Sequence, residues 1–339
     1  MDTELLYSNV ERDNVLITYA IPTYKRSQYI IETIDSIVNQ SKRITNSEIL
    51  VVNNDPESDM SNLIKRYRNT HISIYRNKQN IGMVGNINRA ILLSKGKYVS
   101  MIHDDDMICQ NYNEEIEKYL YSSDYDLIIA KRYNMYADTR QSKRSDLKRL
   151  LFKLIAKEGV SATIRPCDTF YSVMNVFMGP TCGTLFRKDQ FIQYGLFSTD
   201  YPFAFDFFTF QTLAEKGYHI SSTSNYVGIY RMFDSASNKP EVSLDFFVCF
   251  YDLLNRAIKE TKDEKLLRFL RRYRNELLHL KHSRYSHETK ELIKQKYNND
   301  FSKYSIIKYI YLSVFRALYY YRNNLNFEMK YVETYSSLG

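Results

Sequence analysis

An α/β fold with a mostly parallel central sheet is predicted by three observations. Apolar, strand-like runs alternate with segments of helical apolar spacing through the first hundred residues. Length and composition suffice for a large core: 339 residues with 44% hydrophobic allow one large α/β domain plus a further module. A strand-like run also delivers a cluster of acids at its carboxyl end, where such a fold binds its ligand.

The elements follow in order. Residues 15–21 form a buried strand, and Pro22-Thr23-Tyr24-Lys25-Arg26 the loop after it. Ser27 stands where a helix cap belongs, ahead of Ile30, Ile31, Ile34, Ile37 and Val38 at helical spacing. Residues 48–52 are a second strand, ended by Asn53-Asn54-Asp55-Pro56. A helix is expected over 58–68 and a short strand over 72–75. Asn80-Ile81-Gly82 opens a helix that carries Ile87, Ile91 and Leu92 and stops at Gly96. Strands are expected at 97–102 and 125–130.

Residues 140–158 break the alternation. Leu147, Leu150, Leu151, Leu154 and Ile155 share a helical face ringed by Lys and Arg. This basic amphipathic helix either packs on the core or meets a membrane surface or an acceptor. Residues 179–186 read as a loop entering a strand, and Gly195 as the end of a short helix. Asp206 precedes a helix with Phe207, Phe210, Leu213 and Ala214, closed by Gly217. After Pro240 the chain is helical.

Composition excludes several classes. The four cysteines, Cys109, Cys167, Cys182 and Cys249, show no CxxC spacing, so neither a zinc site nor a disulfide framework is expected. A reduced, cytoplasmic compartment fits. Residues 1–14 are polar and acidic, unlike a signal peptide, and no run of about 18 apolar residues suggests a spanning helix. Net charge is +8, and the excess sits in residues 251–339, with 18 Lys/Arg against 10 Asp/Glu. Such a module can attract nucleic acid or an anionic membrane surface.

The chemistry concentrates at His103-Asp104-Asp105-Asp106. Three adjacent carboxylates repel one another. They suit a solvent-facing turn, or a site where a divalent cation neutralises them. Hard cations such as Mg²⁺ and Mn²⁺ take carboxylate oxygens together with those of a bound phosphate. On this segment alone, a polar strand-to-helix turn with a capping Asp is the alternative.

Six pieces in order resolve the choice. They are Ile21-Pro22-Thr23-Tyr24-Lys25-Arg26, Val51 to Asp55, Asn80-x-Gly82 with Asn86, Ser94 to Val99, the acids, and Gly179 to Phe186 leading to Gly195-x-Phe197 and Asp206. Together they resemble a family 2 glycosyltransferase of the GT-A fold over residues 12–235 or so. The resemblance implies a Rossmann-like, mostly parallel sheet flanked by helices. It implies a catalytic domain over 1–240, with a nucleotide-sugar half at 12–106 and an acceptor half at 107–240, followed by a helical module over 241–339.

The implied activity moves a sugar, with inversion, from a nucleotide diphosphate to a hydroxyl of a glycan or lipid-linked acceptor in cell-surface polysaccharide synthesis. Asp104, Asp105 and Asp106 would form the Mn²⁺ or Mg²⁺ site, with Asp105 or Asp106 the direct ligand and Asp104 or Asp105 touching the donor. The donor would also meet Pro22, Thr23, Tyr24 and Arg26, and Asn80 and Asn86 of the third motif. Where the family often has an Asp to accept from the base's ring N–H, this chain has Asn53, with Asp55 two residues on; UDP is expected. Arg231 falls where the family often ends a strand in Arg, and would pair with the diphosphate or form a surface ion pair.

The acceptor hydroxyl needs a carboxylate to take its proton. Asp206 is the expected general base; its alternative is a helix N-cap, and Asp200 is the rival base. His103 either hydrogen-bonds the site or packs. His279, His282 and His287 read as a solvated helical face. In the C-terminal module, 306–321 is the most apolar stretch, with Lys308, Arg316 and Arg322 within roughly a 120° arc. It would pack on the catalytic domain or a twin subunit, or lie on the inner face of the cell membrane. Three other readings are a sugar nucleotidyltransferase, which usually has a Gly-rich phosphate loop after its first strand, a basic nucleic-acid-binding protein, and an inactive glycan-binding relative. No recognisable nucleic-acid-binding motif is present.

Overall fold

The computed structural model of the protein describes residues 2–11, 14–122, 125–135, 163–164, 181–232, 239–262, 286–297 and 330–332, with isolated positions between 264 and 274. Three-layer α/β architecture follows from how the strands divide their side chains. The central strands are β2 (Ile17–Thr23), β3 (Ser47–Asn53), β4 (Ile72–Asn77) and β5 (Tyr98–Met101). Every residue of β2 is buried, as in a parallel strand covered on both faces. Side chains alternate across the pleat. Ile17, Tyr19, Ile21, Ile49 and Val51 enter one core with helices α1 (Ser27–Val38), α2 (Ser61–Tyr67) and α4 (Tyr112–Leu120). Ala20, Leu50 and Val52 enter the other with α3 (Met83–Leu93), α5 (Lys188–Tyr194) and α6 (Phe205–Glu215).

The strands β2, β3 and β4 pair in parallel in one direction, and β5 pairs in parallel on the other side of β2. The chain therefore reverses its winding between β2 and β5, and the crevice at their carboxyl ends is where a ligand fits such a sheet. The expected 97–102 strand ends at the acids as anticipated.

The rest of the sheet is mixed. Four more of its strands are β6 (Met107–Ile108), β7 (Leu127–Met135), β9 (Thr184–Arg187) and β10 (Ile220–Arg231). Antiparallel β9 lies between β5 and β7, and β10 runs parallel to β7. Two-residue β8 (Thr163–Ile164) joins β10, and β11 (Lys330–Val332) joins β7. β1 (Thr3–Ser8), in a segment judged only polar and acidic, pairs antiparallel with β4. It is an edge strand with one neighbour and few fully buried side chains, so its sequence carries little apolar signal.

Helix α1 begins at Ser27 with Arg26 in the cap position, one residue earlier than a Ser27 cap implies. Helix α7 (Pro240–Glu260) starts on proline, a residue preorganised for the first helical position. Its buried face, Phe247, Cys249, Phe250, Leu253, Leu254 and Ala257, shares one cluster with Ala204 and Phe207. His287 opens α8 (His287–Tyr297) and is exposed. The amphipathic segment 140–158, the stretch 306–321, and His279 and His282 lie outside the described residues. Among the described residues no helix is long and apolar enough to cross a membrane.

Gly96 passes against β2, where a Cβ would stand 2.5 Å from the Thr18 amide nitrogen and 2.7 Å from the Ile17 carbonyl carbon. Both neighbours are backbone and cannot rotate away. Gly96→Ala should therefore destabilise the protein by about 2–3 kcal/mol, seen as a lower midpoint in urea denaturation.

Candidate active site

The acidic turn begins where pairing to β2 stops. The Ile102 amide donates to the Ala20 carbonyl at 3.0 Å, and the Asp106 amide closes the turn on the His103 carbonyl at 3.1 Å. Helix α1 secures it from one side. The fully buried Thr33 hydroxyl lies 2.7 Å from the Asp106 carbonyl oxygen and 3.1 Å from that of Asp104. The last residue of β10 secures it from another. The Arg231 amide donates to Asp106 Oδ1 at 3.0 Å, and Arg231 Nε to the Asp105 carbonyl at 2.8 Å. Its guanidinium continues to Glu32 at 2.6 Å and lies over the Tyr29 ring.

Fixed in this way, the three carboxylates diverge. Asp104 Oδ2 accepts from the Thr23 hydroxyl at 2.7 Å and the Tyr24 amide at 3.2 Å, which ties it to the end of β2. Asp105 is ion-paired with Arg26. Asp106 keeps Oδ2 buried, and among the described residues only the weakly donating Cys182 thiol stands near its carboxylate on that side. The ligand atoms of His103, Asp105 and Asp106 all lie within 4.8 Å of one another. The structure thus brings Asp105 and Asp106 together with His103, and sets Asp104 in a separate network.

This donor set fits a hard divalent cation. A buried, unpartnered carboxylate oxygen is costly unless a proton or a cation satisfies it. Burial pushes the Asp106 carboxyl up to about 7, against the opposing pull of the Arg231 amide. Burial raises Asp104 as well. His103 is pushed down to about 4 by burial and by Arg26, so it is a neutral imidazole at neutral pH, the form that ligates metals.

The residues at the ends of β2, β3 and β4 divide into surface and scaffold. Pro22 and Thr23 are buried at the end of β2, while Tyr24 is 42% exposed beside them. Asn53 is buried, and its side-chain Oδ1 accepts the Asp55 backbone amide at 3.0 Å. Asp55 itself is half-buried. Asn80 and Asn86 belong to a network with Asn54 and Asn77. Asn77 Nδ2 donates to both Asn54 Oδ1 and Asn86 Oδ1 at 2.9 Å, and Asn54 Nδ2 donates to Asn80 Oδ1 at 2.8 Å. Asn86 Nδ2 donates to the Val52 carbonyl at 3.0 Å. Asn86 is 3% exposed with its amide spent on the scaffold, so it shapes the crevice from beneath.

Asp206 is the second residue of α6, not its cap; the cap position is Ala204, which makes no side-chain capping bond. Asp206 Oδ1 accepts the Phe207 amide at 2.7 Å. Burial pushes its carboxyl up to about 6, while the Phe207 amide, Arg132 and the Thr181 amide pull down. Asp200 is exposed on the preceding loop.

Two residues join Asp206 to the acidic turn. Arg132, on β7, interacts electrostatically with both Asp106 and Asp206, and its buried Nε has no hydrogen-bond partner among the described residues. Thr181 meets the Asp206 carboxyl through its amide and His103 Nε2 through its hydroxyl. Gly228 leaves the room: a Cβ there would approach the Arg132 Cβ to 3.1 Å. Sequence reasoning passed over Thr33, Thr181 and Arg132. His103 had a visible signal, a ligand-type residue directly before the acids.

Comparison with known proteins agrees with this geometry. The model of a family described as glycosyl transferase family 2 matches residues 18–192. The minor teichoic acid biosynthesis protein GgaB of Bacillus subtilis is 26% identical over 110 residues, 32% of this chain and 12% of that protein. The chain spans about half or less of the length of the curated relatives it matches. Among solved structures, TarS 1-349 of S. aureus in complex with UDP-GlcNAc aligns with a TM-score of 0.53 and 16% identity, covering 78% of this chain and 70% of that one. Mannosyltransferase PcManGT from Pyrobaculum calidifontis, in complex with GDP-Man and Mn²⁺, aligns at 0.52 and 15% identity, covering 94% and 90%. At such identity these structures speak for the fold, which is GT-A.

Thr33→Val replaces the hydroxyl under the acidic turn with a methyl of similar size. It should cost about 1–3 kcal/mol in urea denaturation, and Thr33→Ser should restore most of that loss.

Proposed function

The chain belongs to glycosyl transferase family 2, and on that premise we propose that it is an inverting, metal-dependent glycosyltransferase. It would move a sugar from a nucleotide diphosphate to a hydroxyl of a cell-surface glycan or lipid-linked saccharide. One observation carries the reading: a cation-type donor set of His103, Asp105 and Asp106 is linked to the carboxylate Asp206, raised to about 6, through Arg132, which interacts electrostatically with both Asp106 and Asp206. Membership of this family leaves the sugar nucleotidyltransferase and nucleic-acid-binding readings without support.

The donor lies over the ends of β2 and β3. Tyr24 offers an exposed aromatic face to the base, and Asp55, held by Asn53, accepts from the base's ring N–H. Asp104, turned toward Thr23 and Tyr24, borders the ribose and donor sugar. Arg26 and Arg231 bring positive charge to the diphosphate. His103, Asp105 and Asp106 hold Mn²⁺ or Mg²⁺, which when bound stabilises the charge shed on the departing diphosphate. Asp206 takes the proton of the acceptor hydroxyl as its oxygen attacks the anomeric carbon from the face opposite the leaving group. Arg132 helps keep Asp206 ionised. The UDP-GlcNAc and the GDP-Man with Mn²⁺ bound by the two solved structures support a nucleotide-sugar donor, and UDP is the nucleotide proposed. The name of the Bacillus relative supports an acceptor at the cell surface.

A panel of UDP- and GDP-sugars with Mn²⁺ and no acceptor should reveal slow hydrolysis of one donor, abolished by EDTA. Hydrolysis of none, with the metal supplied, would overturn the reading. Asp206→Asn should lower turnover by about 10²–10⁴-fold.

Wild-type kcat/KM should fall as pH drops through about 6, as Asp206 takes up a proton. The same shift has a stability consequence. The native carboxyl, near 6, binds its proton more tightly than the unfolded one near 3.8, so stability declines as pH rises between those values. At pH 7 the buried charge costs on the order of 2–3 kcal/mol. Asp206→Asn, while inactive, should therefore melt higher than wild type at pH 7.

A further inference from the structure

The helix that carries Asp206 lacks a cap of its own. Its cap position is Ala204, an alanine has no acceptor to offer, and this helix end is buried against α7. Amides at a buried helix start need a partner. That partner comes from outside the region matched by the family model. Asp245, on α7, directs one oxygen at both residues before α6: the Phe203 amide donates to Oδ2 at 2.7 Å and the Ala204 amide to the same atom at 2.9 Å.

Asp245 belongs to a polar stripe along α7. Four residues on, Cys249 is buried in the apolar cluster that α7 shares with Ala204 and Phe207. Asp252 accepts from the Tyr201 hydroxyl at 2.9 Å, and Arg256 pairs with Glu215 at 2.8 Å. The stripe grips the loop before α6 and the far end of α6 itself. Phe207, the neighbour of Asp206, packs against Phe250 with ring centroids 6.3 Å apart.

We propose that Asp245 is a positioning residue for the general base: by capping α6 from another helix it sets where the Asp206 carboxylate points, which makes α7 a working part of the catalytic centre. The inference rests on the reading of Asp206 as the base. A carboxylate that must meet an attacking oxygen tolerates little displacement, and about 1 Å can cost 10²-fold in rate. The donor site stands on β2, β3 and the acidic turn, whereas the hydrogen bonds of Asp245 among the described residues go to Phe203 and Ala204.

The test compares Asp245→Ala, Asp245→Glu and Asp245→Asn with wild type. Readouts are acceptor-free hydrolysis of the donor selected by the panel, UDP binding with Mn²⁺ by calorimetry, and the urea midpoint. Asp245→Ala should lower kcat by about 10–100-fold with UDP affinity within twofold of wild type. Both amides bond to a single oxygen, so the amide oxygen of Asp245→Asn can replace it, and that variant should keep at least half of the wild-type kcat. Asp245→Glu, which moves the acceptor by one methylene, should show the same loss in kcat at unchanged UDP affinity, and it decides the matter if Asp245→Ala does not fold.

Wild-type kcat in the Ala and Glu variants would overturn the proposal. So would a parallel loss of UDP affinity, or an Asn variant no better than Ala. Failure of the base assignment is separately visible: Asp206→Asn would then retain turnover whatever the Asp245 variants do.

Discussion

Three successive aspartates at the end of a buried strand repel one another at close range and lose much of their hydration. The turn survives because each carboxylate is given its own direction. Asp104 is drawn to the end of β2, Asp105 pairs with Arg26, and Asp106 is gripped by the Arg231 amide. Thr33 holds two backbone carbonyls of the same turn from below. The leftover demand, one buried oxygen of Asp106, is what marks the place for a cation. The proposed donor pocket, metal site and base are all arranged around this turn.

The same economy operates on the neutral side of the crevice. Four asparagines bridge the ends of β2, β3 and β4 and the start of α3. A buried polar network of this kind is stable only when its members are satisfied, and once satisfied it is stiff. Stiffness there keeps Thr23, Tyr24 and Asp55 on fixed backbone. Asn86 supports the crevice from beneath, while Asn80 is exposed at its edge.

Helix α7 changes how the molecule divides. A boundary at 240 is natural in the sequence, since a proline there starts a long amphipathic helix. In space that helix shares apolar core and three polar links with the segment around Asp206. Its apolar stripe alone does not say which surface it covers.

The order of residues suffices for the alternation of strands and helices, the placement of the acids at a strand end, and the family. These depend on local periodicity and on residue types in order, and both are written in the chain. It missed β1, an edge strand with weak apolar signal, and it placed Asp206 before a helix that in fact contains it. The folded chain is needed to see that His103, Asp105 and Asp106 converge while Asp104 turns away, and that Arg132 interacts with both Asp106 and Asp206. The physical reason is distance along the chain. A side chain points where its backbone is held and its partners pull it, and here the Asp106 carbonyl is held by Thr33, 73 residues earlier, and its carboxylate by Arg231, 125 residues later.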